Sequence, residues 1–169
     1  MKPQHSILII AALMLVSCSN QSSKQLHEAK ELIKSGKAEC VLICSDGTLI
    51  QEQGRGLSPI LKIFDTHPEA MKGAVVVDKV IGRAAAMVAI NGQAGSVYGE
   101  LISEDAVELL QKHGIEVSYN QLVHRILNRN RDGLCPLEQS VFGIDDPVEA
   151  LAAARKRIEE LSAGAQNKK

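Results

Sequence analysis

The order of apolar runs and turn signals predicts an α/β fold, a mixed sheet covered by helices on both faces. Three observations predict it. Ala74-Val75-Val76-Val77 is small or β-branched without alternation, which reads as a strand buried on both faces. Asp78-Lys79 break that run, and Val80 to Ile90, apolar except for Gly82 and Arg83, follows as a core helix. Its length of about 16 Å by helical rise is too short to cross a bilayer. Asp46-Gly47 between two apolar runs is the strongest hairpin signal in the chain. Beyond it, strand-like and helix-like segments alternate, the pattern of helices crossing over a sheet.

The elements follow in order. Leu26, Ala29, Leu32 and Ile33 share one face of a helix from Gln25 to Lys34, which Ser35-Gly36 stops. Ala38–Ser45 and Thr48–Gln53 are the hairpin strands. Gly54-Arg55-Gly56-Leu57 turns the chain into a helix with Ser58 as N-cap and Pro59 at its first position, fading before Pro68. Asn91-Gly92 ends the central helix. Ser96–Ile102 reads as a strand, and Ser103 caps a helix with Glu104 and Asp105 in its first turn, where acids are favoured. That helix stops at Lys112-His113-Gly114. Ile115–Tyr119 is a short strand, and Val123–Leu127 starts a helix before a polar loop from Asn128 to Gly133. Cys135-Pro136-Leu137-Glu138 has the form of an N-cap, Pro at N1 and Glu at N3, and Asp146-Pro147-Val148-Glu149 repeats it. The last helix carries Val148, Leu151, Ala154, Ile158 and Leu161 at helical spacing, a docking stripe.

Composition bounds the function. The chain has 169 residues, 45% hydrophobic, with a formal charge of −1 and only 2% aromatics, so one core is built from aliphatic residues. Near-neutral charge and scarce stacking residues exclude a nucleic-acid surface. At the N-terminus, Lys2 precedes an apolar run, Ile7 to Val16, that closes in Leu15-Val16-Ser17-Cys18. That ending resembles a bacterial lipobox. The expected organisation is therefore a lipoprotein signal peptide over 1–17, a tether over 18–24, one domain over 25–162 and a disordered tail over 163–169. Cys18 is then the lipidation site, and the address is the cell envelope, anchored to a bacterial membrane. A true start further downstream leaves the protein in the cytoplasm instead. Cys40, Cys44 and Cys135 remain, an odd number of thiols.

The element order also carries motifs: Asp-Gly at the hairpin, Gly54-Arg55-Gly56-Leu57-Ser58-Pro59 before a helix, and Asp78-Lys79-Val80-Ile81-Gly82-Arg83-Ala84-Ala85-Ala86 after a strand. Tyr98-Gly99-Glu100 and Asp132-Gly133-Leu134-Cys135-Pro136-Leu137-Glu138 complete the set. Together, from about Gln25 to Leu161, they resemble a prokaryotic family of unknown function whose members have a cytidine-deaminase-like fold. The resemblance implies a three-layer α-β-α sandwich and no established activity. Zinc deaminases place H-x-E or C-x-E at one helix N-terminus and P-C-x-x-C at the next. The corresponding positions here, Gly56-Leu57-Ser58 and Lys79 to Arg83, hold neither His nor Cys. His67-Pro68-Glu69 spells H-x-E but lies past the helix it would open, and no C-x-x-C follows. Hydrolytic zinc deamination is rejected, and no metal or cofactor is expected.

Two helix N-termini facing one crevice favour an anion. Arg55, Ser58, Lys79, Gly82, Arg83 and Glu100 are the expected ligand-binding residues, for a small anionic, nucleotide-like ligand. Arg83 is the lone charge of an apolar helix and needs an acid or a ligand, and Asp78 or Glu100 could provide the acid. Cys135, at a helix N-terminus with Glu138 as a candidate base, is the alternative: an enzyme of group transfer. Glu138 can equally cap its own helix through the Cys135 amide. A third reading is a non-catalytic envelope assembly protein.

Overall fold

The computed structural model describes residues 21–166. Its element order is a helix over residues 21–34 (α1), β1 (Cys40–Ile43), β2 (Leu49–Glu52), α2 (Ser58–Thr66), α3 (Pro68–Met71), β3 (Val75–Ile81) and α4 (Arg83–Asn91). There follow β4 (Ser96–Ser103), α5 (Glu104–Lys112), β5 (Glu116–Val123), α6 (Pro136–Ser140) and α7 (Pro147–Gln166). The five strands form one mixed sheet in the order β2-β1-β3-β4-β5. β1 runs antiparallel to both neighbours, while β3, β4 and β5 are parallel. The α/β class and the layering expected from the sequence are what the chain adopts.

Alternation along β1 sorts the two cores. Cys40 and Leu42 join Ile60 and Ile63 of α2, Leu109 and Leu110 of α5, and Ala150 and Ala154 of α7 on one face. Val41 and Ile43 meet Ala29 and Ile33 of α1 on the other. α4 lies inside the first core, packed against α2, α5, α7 and β3. Ala84 through Ala89 are all buried, and their small side chains let the neighbouring helices approach closely. Arg155 clasps Asp65 with both terminal guanidinium nitrogens and ties α7 to α2.

Several expectations are corrected. Asp78-Lys79 do not end the central strand, which runs on to Ile81, so the helix begins at Arg83. Backbone pairing overrides the charges: the Lys79 N–H donates to Glu39 O at 3.0 Å, and β3 stays in register with β4 through Ile81. The strand does change step there. Val76 and Ile81 are five residues apart, which strict alternation would put on opposite faces, yet both lie in the helix-side core. Val97 and Ile102, their register partners in β4, shift identically. Gly99 sits at the shift, where a Cβ would come within 3.2 Å of both Ile81 and Ile102.

Elsewhere, Leu57 rather than Ser58 is the N-cap of α2, and no side chain caps it. The Ser58 hydroxyl instead accepts a weak bond from the Arg55 N–H at 3.4 Å. An extra helix, α3, begins at Pro68. No helix starts at Val123: β5 runs to that residue, held by its parallel partner β4, and a Leu127–Leu134 bridge forms between it and α6. Residues 21–24, expected in a tether, belong to α1, and α7 continues past 162 to Gln166. The signal peptide and Cys18 lie outside the described residues. Among the described residues, no helix is long and apolar enough to cross a membrane.

The step in β3 leaves Asp78 only 5% exposed on the core side. Its carboxylate accepts the Val80 N–H at 2.9 Å. Burial pushes this carboxyl up from 3.8 to about 7, against the bonds it receives from Val80 and from the Cys40 thiol. The folded state therefore favours neutral Asp78, and ionising it opposes folding. This contribution to stability is fully present below the unfolded value near 3.8 and is lost as pH rises through about 7. Its upper bound is about 4 kcal/mol at roughly 1.4 kcal/mol per pH unit. The melting temperature is expected to fall between about pH 4 and about pH 7. Asp78→Asn, which keeps an oxygen for the Val80 N–H and cannot ionise, flattens that fall; an equal fall in both proteins contradicts the assignment.

Candidate functional site

Ligands of α/β sheets bind at the carboxyl ends of parallel strands, where crossover helices begin. Here α4 starts one residue after β3, and α5 starts directly after β4. The two starts are capped differently. Ser103 accepts the Ala106 N–H at 3.3 Å and closes the start of α5 locally. α4 has Gly82 at its N-cap, with no side chain to bond its first amides.

A residue 55 positions further along supplies that cap. Glu138 Oε2 accepts the Arg83 N–H at 2.8 Å, and Oε1 accepts the Ala84 N–H at 3.1 Å. The glycine is required by this approach, because a methyl group at Gly82 would collide with the Glu138 carboxylate. Leu137, the residue before, lies against Gly56, whose added Cβ would sit 3.5 Å from the leucine's Cδ1. α6 thus fills the space between the starts of α2 and α4. The chain's own short helix takes the space between these two helix starts.

Arg83 answers its burial in the same segment. Its Nε donates to Val141 O at 3.2 Å, and Nη2 donates to Ile144 O at 2.7 Å and to Asp145 Oδ1 at 2.9 Å. The acid is therefore Asp145, not Asp78 or Glu100. Burial raises the pKa of Glu138, opposed by the Ala84 and Arg83 amides and reinforced by the nearby Asp105 charge. Beside this clamp lies a depression of about 10 Å³ lined by Arg83, Ser103, Asp105, Arg125, Glu138 and Phe142. It has room for about one water molecule.

The other expected residues are dispersed. Arg55 is exposed in the loop before α2, beside Ser58. Lys79 pairs with Glu39 at 2.8 Å on the surface. Glu100 points into a separate cluster: it accepts the Tyr98 hydroxyl at 2.9 Å and the Asn120 amide at 2.7 Å. Tyr98 belongs to the core under α1, and Lys30 stands 3.8 Å over its ring. Burial and the Glu100 carboxylate push the Tyr98 hydroxyl up to about 12. Cys135 is the N-cap of α6, and its N–H donates to Ile126 O at 3.0 Å. The carboxylate of Glu138 faces α4, so it does not cap its own helix. Sequence reasoning missed Asp105, Arg125 and Asp145 as members of this cluster. The one available signal was the demand of Arg83 for an acid, and many acids in the chain met it.

The residues do not fit a zinc ion. Among the described residues, no three His, Cys, Asp or Glu side chains gather to hold a metal. Glu138 is the carboxylate at the centre, and both of its oxygens are committed to backbone amides.

Comparison with known proteins bears on the family. Residues 28–158 match a family described as "TM1506: Domain of unknown function (DUF1893)". The crystal structure of a DUF1893 family protein (TM1506) from Thermotoga maritima superposes with a TM-score of 0.71 at 24% identity, over 79% of this chain and 90% of that one. RibD of Acinetobacter baumannii (form 2) gives a TM-score of 0.42 at 19% identity, over 60% of this chain and 35% of that one. No curated protein matches.

Glu138→Ala leaves two helix-start amides and the Arg83 segment without their carboxylate, and about 1–3 kcal/mol of unfolding free energy is the expected loss. Gly82→Ala acts on the same contact by expelling the carboxylate. In a urea-unfolding cycle the double variant is expected to lose clearly less than the sum of the singles. Strict additivity argues against the shared contact.

Proposed function

This chain belongs to the DUF1893 family, whose description assigns no activity, and we propose that it is a non-catalytic binding domain, anchored by lipid to the cell envelope. Its ligand is a small anion of nucleotide-like chemistry that competes with Glu138 for the start of α4. One observation carries this reading: the Arg83 and Ala84 amides already hold a carboxylate, delivered by the five-residue helix α6. Helix-start amides accept phosphate and carboxylate oxygens by the same geometry. Arg83 and Arg125 both line the adjoining depression and add positive charge. The present opening is too small for a nucleotide, so binding requires α6 to yield. The lipid anchor rests on Leu15-Val16-Ser17-Cys18. No contact favours Cys135 as a nucleophile served by Glu138, since that carboxylate bonds α4 instead.

Calorimetric titration of the protein with inorganic phosphate and with AMP tests the competition. Glu138→Ala, verified as folded by circular dichroism, is expected to bind at least one probe about tenfold tighter than wild type, the gain from removing an internal competitor worth about 1.4 kcal/mol. Adding Arg125→Ala to that variant weakens the gain. If the folded Glu138→Ala variant binds neither probe, the anion reading fails and a closed, assembly-type domain is left. The anchor is tested separately: cells fed a labelled lipid precursor incorporate it into wild type and not into Cys18→Ala. Equal labelling overturns the anchor.

A further inference from the structure

The two edges of the sheet differ. β2 has four residues, and a Lys62–Glu52 ion pair from α2 crosses beside it. β5 has eight residues, and among the described residues nothing pairs with its outer side. Exposed edges are normally blunted by charge, proline, a bulge or brevity, because unpaired backbone groups invite another strand. Within Glu116–Val123 the sole charge is Glu116, at the very start, and there is no proline. Six of the eight residues are exposed. Tyr119 and Leu122 are each 43% exposed, apolar surface lying along the open edge itself.

The charges at the two ends of this strand select its partner. Glu116 opens β5, while His124 and Arg125 follow its end, and all three are exposed. His124 is engaged by Glu104 of its own chain at 2.8 Å. Arg125 is the cation next to it. Antiparallel pairing of β5 with β5 of another copy brings the acidic end of each onto the basic end of the other. Parallel addition would set like ends side by side, and opposite charges across paired strands stabilise where like charges destabilise. We infer that this chain forms a two-fold dimer through β5, joining two sheets into one continuous sheet. A two-fold antiparallel pair has one residue facing its own copy. Centring it on Asn120 sets Glu116 of one copy opposite His124 of the other, with Arg125 adjacent. The Asn120 side chain stands on the sheet face with Glu100, so its copy stands beside it on the same face.

Cysteine cross-linking of the purified full chain tests this directly. Under mild oxidation Asn120→Cys is expected to give a disulfide-linked species of twice the chain mass. Wild type, which reports the background of Cys18, Cys40, Cys44 and Cys135, and Glu108→Cys, on the exposed face of α5, do not. Glu116→Arg in the Asn120→Cys background loses the cross-link, and adding Arg125→Glu restores it, a rescue that mere surface exposure would not produce. Cross-linking no greater than that of Glu108→Cys overturns the dimer. So does an adduct containing a different protein, or a cross-link indifferent to the charge reversal.

Discussion

One reciprocal clamp organises the functional end of this molecule. Glu138 caps the first amides of α4, and the side chain of the first α4 residue, Arg83, binds Val141, Ile144 and Asp145 in return. Each half supplies what the other lacks. The start of α4 has no capping side chain of its own, since Gly82 precedes it, and a guanidinium only 16% exposed needs acceptors. A charged group of either sign left alone at this depth would oppose folding strongly; together they hold residues 134–145 against the core.

The clamp explains why the crevice is closed. The field at these helix starts favours negative charge, and the chain places the Glu138 carboxylate there. α6 is only five residues long and, among the described residues, is joined to α4 chiefly through Glu138 and Arg83. Whether an outside anion replaces Glu138 then depends on how its affinity compares with that of a tethered carboxylate. The cost of moving a short helix stands against it. The same logic of local exchange appears at Asp78, where the strand keeps its register by burying a carboxyl that prefers to be neutral.

Much of the fold was legible. The hairpin at Asp46-Gly47, Ser103 as a cap, Gly92 at the end of the central helix and Pro147 at the start of the last one are all local chemistry, settled within four residues of chain. The errors share a cause. Asp78-Lys79 looked like a strand end because charge disfavours burial. Pairing to β1 and β4, which no local window contains, held the strand together and sent Lys79 outward to Glu39. Val123–Leu127 looked helical on short apolar spacing until β4 supplied a partner for β5. Glu138 at N3 of α6 looked like a self-cap, because the spacing that makes a capping box says nothing about a helix start 55 residues earlier. Arg83 was the instructive case: its isolation among apolar neighbours announced a partner without naming one.

The sequence by itself therefore determined the α/β class, most of the elements and the need of Arg83 for a partner. These follow from periodicity, turn chemistry and the residue types present. Only the tertiary structure decided what Arg83 meets. A helix start and a buried guanidinium fix the sign of the required partner, not its address. Many carboxylates along the chain could satisfy that sign. Packing α6 between α2 and α4 brings Glu138 within bonding distance and leaves Glu100 on the opposite face of the sheet.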